Sequence, residues 1–246
     1  MIIPKKSLGQ NFLNDKNIVK KITNLTNIKN QNVIEIGPGL GFLTDEIIKL
    51  KPKKLILIEK DYHLLNILNN KYKKFTNIEI FNEDALKFKF NNYSDIKIIS
   101  NLPYNISSKF LLKVLILNKN IIEIICMIQK ELAEKFEYKT GKMNKYKFLN
   151  QYTSMYKIEF KVSSNVFFPK PKVKSSVVKF KLHQKDINSD KLQYFLTNFF
   201  KNKRKKIKSN SFIKNLDLNY LIDNRYEDLK YDDVLKIYKK FKFSIS

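Results

Sequence analysis

Three groups of residues in this chain have types and spacings that could do chemistry. The first is a glycine turn. The chain has five glycines, and Gly37, Gly39 and Gly41 fall within five residues of one another, in EIGPGLG at 35–41. An apolar, β-branched run enters the turn and the helical spacing of Leu40, Leu43, Ile47 and Ile48 leaves it, so the segment reads as strand, tight turn, helix. Glycine lets the backbone turn sharply and lets a ligand lie against the main chain. The helix that follows offers unpaired N–H groups and a positive dipole end to an anionic group. The second is Glu59, which ends the buried-strand pattern KLILIE (Lys54–Glu59), 22 residues after Gly37. In nucleotide-binding βαβ units an acid roughly 20 residues on accepts from both ribose hydroxyls. The third is Asn101-Leu102-Pro103-Tyr104, which follows the apolar run 96–100. It sets a side-chain amide, a stiffened turn and an aromatic face together. Pro103 biases Leu102 toward extended geometry, so backbone carbonyls can be held outward.

Each group has an ordinary structural reading taken singly: a βα turn, an acid at a strand end, a proline turn over a buried tyrosine. Their common register is what favours a site. Asp84, just past a short strand at 78–81, gains weight only beside them; it could accept a hydrogen bond from an exocyclic amine such as that of adenine.

The elements needed to position these residues alternate strand and helix. A loop at 5–13 precedes a helix capped by Asn14 or Asp15, with Ile18, Val19 and Ile22 on one face. Helices are expected from Tyr62 to about 73, at 107–117 and at 130–136. Strands are expected at 96–100, 121–129, 157–162 and 176–182, with a polar, lysine-rich loop at 139–147 and a rigid FFPKPKV segment from Phe167. From Ser189 the pattern is helical to the end. This predicts an α/β domain at 1–183 and a small α-helical domain at 184–246. No internal repeat is visible.

Composition narrows the function classes. The net charge of +25 invites a nucleic-acid partner. Yet only Arg204 and Arg225 of the 48 basic residues are arginine, so part of the lysine excess reads as A/T-rich codon drift. Clustering says more. Six basic residues lie within KNKRKKIK at 201–208, which favours phosphate contact through Lys203, Arg204, Lys205 and Lys206. The single cysteine, Cys126, sits in an apolar run and reads as a buried inert thiol; no disulfide framework is possible. His63 and His183 are too isolated for a metal site. With no apolar leader after Met1 and no membrane-spanning run, the expected location is cytoplasmic.

Loop spacing then separates two kinds of nucleotide ligand. A dinucleotide fingerprint needs G-x-G-x-x-G, and Phe42 stands at the third glycine, which disfavours a dinucleotide oxidoreductase. Glu35 followed by G-x-G-x-G resembles the cofactor loop of S-adenosylmethionine-dependent methyltransferases. With every motif in view the chain resembles the ribosomal RNA adenine dimethyltransferases, specifically the small-subunit family. The matching pieces are KSLGQNFL at 6–13, EIGPGLG at 35–41, Glu59, Asp84-Ala85, NLPYNIS at 101–107, Gln129-Lys130-Glu131, residues 167–178 and residues 204–211. They run in the family's order over nearly the whole chain.

The resemblance implies a Rossmann-like domain that uses S-adenosyl-L-methionine, followed by a small helical RNA-binding domain. It implies cofactor contacts at Asn11, Leu13, Gly37, Glu59, Asp84 and Asn101, and a target-base pocket at Asn101, Leu102, Pro103, Tyr104 and Phe167. The implied reaction is N6,N6-dimethylation of two adjacent adenosines in a loop near the 3′ end of small-subunit (16S) rRNA, in small-subunit biogenesis. The implied protein is a monomer that needs no metal and acts on rRNA or the immature small subunit. Asn101 and the Leu102 carbonyl would accept the two N–H bonds of the amine, and Tyr104 and Phe167 would grip the splayed-out base. Two departures bear on RNA docking: Tyr146-Lys147-Phe148 stands where the family usually has a Tyr-Gly-Arg-like segment, and the C-terminal domain is short. The competing readings are a resistance-type large-subunit rRNA adenine methyltransferase and a non-catalytic ribosome-assembly or transcription factor on the same fold.

Overall fold

The apolar runs assemble into a mixed sheet. The structure, a computed structural model, describes residues 4–117, 119–138, 142–183, 186–202, 205–209, 211–213, 216 and 223–244. In chain order the elements are β1 (Phe12–Leu13), α1 (Lys16–Thr23), β2 (Asn32–Ile36), α2 (Phe42–Lys49), β3 (Lys54–Glu59), α3 (Tyr62–Tyr72), β4 (Ile78–Asn82) and β5 (Ile96–Asn101). Then come α4 (Tyr104–Leu117), β6 (Ile121–Gln129), α5 (Lys130–Phe136), α6 (Lys145–Thr153), β7 (Ser154–Val162), β8 (Phe167–Phe168), β9 (Ser175–Leu182), α7 (Ser189–Phe199) and α8 (Tyr231–Ser244). Seven strands lie in the order β4-β3-β2-β5-β6-β9-β7, and β1 pairs with β8 in a separate two-stranded ribbon. The strands from β4 to β6 are parallel, whereas β9 runs antiparallel to both β6 and β7.

Covered on both faces, the parallel strands need no polar side, hence their near-continuous Ile, Leu and Val. Successive residues point to opposite faces. Ile34, Ile56, Ile98, Ile124 and Cys126 join one apolar cluster, and Val33, Leu55, Leu57, Ile99 and Ile125 join the other. Cys126 is fully buried and burial pushes its thiol up, in keeping with an inert thiol. The first cluster continues into the C-terminal helices through aromatic rings. Phe148 of α6 meets Phe195, Tyr231 and Tyr238, and Phe195 stacks on Phe199 at 4.7 Å between centroids. No described helix is long and apolar enough to cross a membrane.

Three expectations change. The helix expected at 107 starts at Tyr104, because the Pro103 carbonyl already accepts from the N–H groups of Ile106 and Ser107; proline, lacking an N–H, suits a helix edge. The 139–147 loop ends early: Asn144 caps α6 by accepting from the N–H groups of Tyr146 and Lys147 at 2.8 and 3.1 Å. Residues 139–141 lie outside the described residues. The C-terminal pattern is not one run of helix. The described parts of 200–228 are short 3-10 turns with a β-bridge between Lys206 and Arg225, and their Asn and Ser residues bond the backbone locally and break helices; Ser209 Oγ donates to the Lys206 carbonyl at 2.7 Å.

Beyond their paired residues, β2 and β5 part. Their register runs from Asn32↔Ile96 to Ile34↔Ile98. The Ile36 carbonyl then accepts from the buried Ser100 hydroxyl at 2.6 Å. Chain order reverses here, with β3 and β4 to one side and β6 to the other. In open α/β sheets that is where ligands bind.

One ionisable residue sits inside β2. Glu35 is 1% exposed, accepts from the Thr44 hydroxyl at 2.7 Å, and its carboxyl is pushed by burial up to about 8. It therefore holds a proton at neutral pH that the unfolded chain, with an ordinary value near 4.5, has released. Stability should fall as pH rises from about 5 to 8, by at most about 1.4 kcal/mol per pH unit. Glu35→Gln should flatten that slope; urea titrations of both proteins at pH 5.5 and 8 check it, and equal slopes would show that Glu35 is not the titrating group.

Candidate active site

A cavity opens where β2 and β5 part. Five segments line it: the arm 7–13, the glycine turn with the start of α2, the end of β3 with Leu64, residues 83–85, and residues 101–106. Gly37 hydrogen-bonds through its N–H to the Ile58 carbonyl at 2.9 Å, and a Cβ there would stand 3.1 Å from the Pro103 ring. Gly41, at φ +79°, leaves no room at all: a Cβ would lie 2.2 Å from the Tyr72 hydroxyl. That hydroxyl donates to the Gly41 carbonyl or to Asp45 Oδ1, at 3.0 and 2.8 Å. The third turn glycine is thus set by α3. Phe42, where a dinucleotide loop would need glycine, begins α2 and is 41% exposed.

Glu59 closes the cavity at the end of β3. Its Oε1 accepts from the Asp61 N–H at 2.8 Å and its Oε2 from the Gly39 N–H at 3.2 Å. Burial raises this carboxyl above its ordinary value, and the two backbone donors oppose the rise. A carboxylate has about four lone-pair sites, so two donors leave it able to accept from a pair of hydroxyls. Asp84 is half-buried across from it. Lys60 Nζ donates to its Oδ2 at 2.8 Å and the Leu86 N–H to its Oδ1 at 2.9 Å, and these hold its carboxyl below the usual range.

The N-terminal arm forms a wall of the cavity. Asp61, the N-cap of α3, accepts from Lys5 Nζ and from Gln10 Nε2, both at 2.9 Å, while Gln10 Oε1 accepts from the Lys5 N–H at 2.7 Å. Beyond the latch, Leu13 is buried and pairs with Phe167, and Phe12 pairs with Phe168.

Asn101 faces this arm. Its Nδ2 donates to the Asn11 carbonyl at 2.9 Å, which fixes the amide's orientation, since only the nitrogen can donate to a carbonyl. Among the described residues nothing donates to its Oδ1, which is left as an acceptor at the cavity. The Leu102 side chain is buried and its N–H donates to the Met127 carbonyl at 3.2 Å. Its own carbonyl receives only a long 3.5 Å contact from the Ser107 hydroxyl, which bonds Pro103 at 2.8 Å instead. The Tyr104 hydroxyl shares a hydrogen bond with Ser175 Oγ at 2.5 Å, and burial raises its phenol, so it stays protonated at neutral pH.

Asn11, Leu13, Gly37, Glu59, Asp84, Asn101, Leu102, Pro103 and Tyr104 therefore line one cavity. Phe167 does not. Its pairing with Leu13 turns the ring inward to 4% exposure, and Phe168 carries the open face at 60%. Phe167 thus stands behind the cavity wall, paired with Leu13, and not on its surface. Of the basic cluster, Lys203 and Arg204 lie outside the described residues. Lys205 is exposed, and Lys206 and Lys208 both bridge to Asp223, at 3.2 and 2.8 Å. Among the described residues no group of three or more His, Cys, Asp or Glu is placed to hold a metal. Asp61, Ser100 and Ser175 escaped the sequence reading. Asp61 alone had a signal, as an acid at a helix start two residues after Glu59.

Residues 3–244 match the family model described as ribosomal RNA adenine dimethylase. Over 240 residues the chain is 40% identical to ribosomal RNA small subunit methyltransferase A of Mycoplasmopsis synoviae, covering 95% of this chain and 91% of that one. Over 244 residues it is 36% identical to the protein of that name from a Hydrogenobaculum species, covering 97% and 93%. Among solved structures it is similar in fold to a dimethyladenosine transferase from Plasmodium falciparum, with TM-score 0.78, 24% identity and coverage of 94% and 98%. The 23S rRNA methyltransferase ErmE is also similar in fold, at TM-score 0.70 and 20% identity, covering 94% and 100%. Matched along nearly its whole length, the chain belongs to the ribosomal RNA adenine dimethylase family.

Proposed function

We propose that this protein uses S-adenosyl-L-methionine to dimethylate N6 of two adjacent adenosines near the 3′ end of small-subunit rRNA, on the immature subunit in the cytoplasm. The observation that carries the reading is Asn101: its amide nitrogen is committed to the Asn11 carbonyl and its oxygen faces the cavity that Glu59 and the glycine turn close. The names of the 36–40% identical relatives support the small subunit over the large one.

The residues fit the cofactor. Glu59 suits the ribose hydroxyls, Asp84 suits the adenine amine, and the glycine turn lines the same cavity. When bound, the cofactor supplies a methyl group on a sulfonium. The chain's residues must then hold a poor nucleophile, because the adenine amine's lone pair is delocalised into its ring. Asn101 Oδ1 and the Leu102 carbonyl accept its N–H bonds and favour a pyramidal nitrogen, which is positioning plus complementarity to the positive charge that develops. No strong base is needed, since the ammonium-like product is acidic and loses its proton to water. Tyr104, a neutral phenol tethered by Ser175, supplies a stacking face worth roughly 1–3 kcal/mol. Phe167 backs the site from the core by holding β8 to β1. RNA suits this arrangement because unstacked loop bases are what proteins can read in it. Residues 184–246 form the RNA-binding unit on this proposal.

Glu59→Ala should weaken S-adenosylhomocysteine binding by roughly 1–3 kcal/mol; unchanged calorimetric affinity would remove Glu59 from the ribose. Asn101→Ala should abolish transfer of labelled methyl groups to immature small subunits while leaving RNA affinity nearly intact, because its contact to the reacting nitrogen strengthens in the transition state. Tyr104→Phe should be mild and Tyr104→Ala severe. Wild-type turnover in Asn101→Ala would overturn the mechanism, and particle binding by the unmutated protein with no transfer would favour an assembly factor. Replacing Lys203, Arg204, Lys205 and Lys206 with glutamine should flatten the plot of log affinity against log salt by up to about 0.7–0.9 per lost phosphate contact. Lys206 should contribute least, being shared with Asp223. An unaltered slope would assign the cluster to a solvated face.

A further inference from the structure

We propose that Lys113 is a positioning residue for methyl transfer: it ties the Asp84 turn to the helix that begins with Tyr104. The inference rests on the reading that the cavity binds S-adenosylmethionine. Lys113 lies on α4, about two and a half turns after Tyr104. Its ammonium donates to the carbonyls of Leu86 and Phe88, both at 2.8 Å, and of Ala85 at 3.3 Å. It also sits 5.4 Å from the centre of the Phe90 ring. Three bonds use all the donors that an ammonium has, and every one goes to a single turn of backbone. Among the described residues no carboxylate lies within ion-pair distance of it. Burial lowers its pKa, against the pull of Glu83 and Asp84, as befits a cation held by dipoles.

The turn it grips is the one that presents Asp84. Asp84 takes up the turn's N–H groups: its Oδ1 accepts from Leu86, and its carbonyl from Lys87 at 2.7 Å and Phe88 at 3.1 Å. Lys113 takes up the carbonyls, so the turn is fastened through both kinds of backbone group. Asp84 and Ala85 line the cavity on the cofactor side, and residues 101–104 line it on the target side. Lys113 fixes the distance between the two, because its backbone belongs to one and its ammonium to the other. Without it three partly buried carbonyls lose their donor, and the Asp84 turn is free to move away from α4.

The test compares Lys113→Met, which keeps the apolar stem and removes the donors, with Lys113→Arg, which keeps donors. On the full chain, Lys113→Met should weaken S-adenosylhomocysteine binding roughly tenfold, the scale of a lost buried hydrogen-bond partner. It should raise KM for the cofactor similarly, with kcat and rRNA affinity little changed, and Lys113→Arg should recover most of the loss. In an Asp84→Ala background Lys113→Met should add less than about twofold, since both act through one turn. A folded Lys113→Met with unchanged cofactor KM overturns the proposal, as do losses that multiply independently with those of Asp84→Ala. If Lys113→Met does not fold, Lys113→Gln is read in the same cycle by the same criteria. Failure of the unmutated protein to bind S-adenosylhomocysteine would instead overturn the reading of the cavity.

Discussion

The parting of β2 from β5 is the constraint on which the site depends. Two parallel strands that stayed paired to their ends would leave no crevice. Here the ladder stops at Ile34 and Ile98, and the Ser100 hydroxyl takes over the Ile36 carbonyl that the ladder abandons. A buried carbonyl needs a partner, and a side chain can supply one without keeping the backbones in register. The glycine turn leaves one strand and residues 101–104 leave the other, close enough for Pro103 to bear on Gly37. On the proposed assignment, cofactor residues and target residues are neighbours because they follow adjacent strands.

The cavity's acceptors are graded in charge. Glu35 keeps its proton, Glu59 is a buried carboxyl steadied by two backbone donors, and Asp84 is a carboxylate balanced by Lys60. All three lie on the side assigned to the cofactor. On the side assigned to the target, Asn101 and Leu102 offer neutral oxygens. Neutral acceptors can orient an amine without fixing a full negative charge beside the sulfonium, which would stabilise the reactant ion as much as the transition state.

The local parts of this arrangement were legible in the sequence. The glycine turn, the register of Glu59 and the asparagine-proline-tyrosine segment declare themselves within a few residues, as do the apolar strands. What was not legible depends on distant pairing. Asn101 meets Asn11 across 90 residues and Tyr104 meets Ser175 across 71; no periodicity connects them. Placing β9 between β6 and β7 is likewise a choice of topology. The Phe167-Phe168 pair shows the limit most sharply. Adjacent aromatics on a strand face opposite ways, and only the pairing with Phe12 and Leu13 decides which one is buried. The helix α6 was a smaller miss, since Asn144 is an ordinary cap hidden inside a polar run.

On the proposed function, the arm held by Asp61 would bear on processivity. Two methyl groups on one nitrogen consume two cofactor molecules, so the cavity must empty and refill between transfers. The latch joins the exposed Lys5 and the half-buried Gln10 to the buried Asp61 carboxylate, and the opposite wall is held by the buried packing of Leu102. Asn101 ties that wall to the arm through the Asn11 carbonyl, so lifting the arm would also release the amide that faces the target. On the proposed function, how readily these contacts release the arm would bear on how many methyl groups the protein delivers in a single encounter with its RNA.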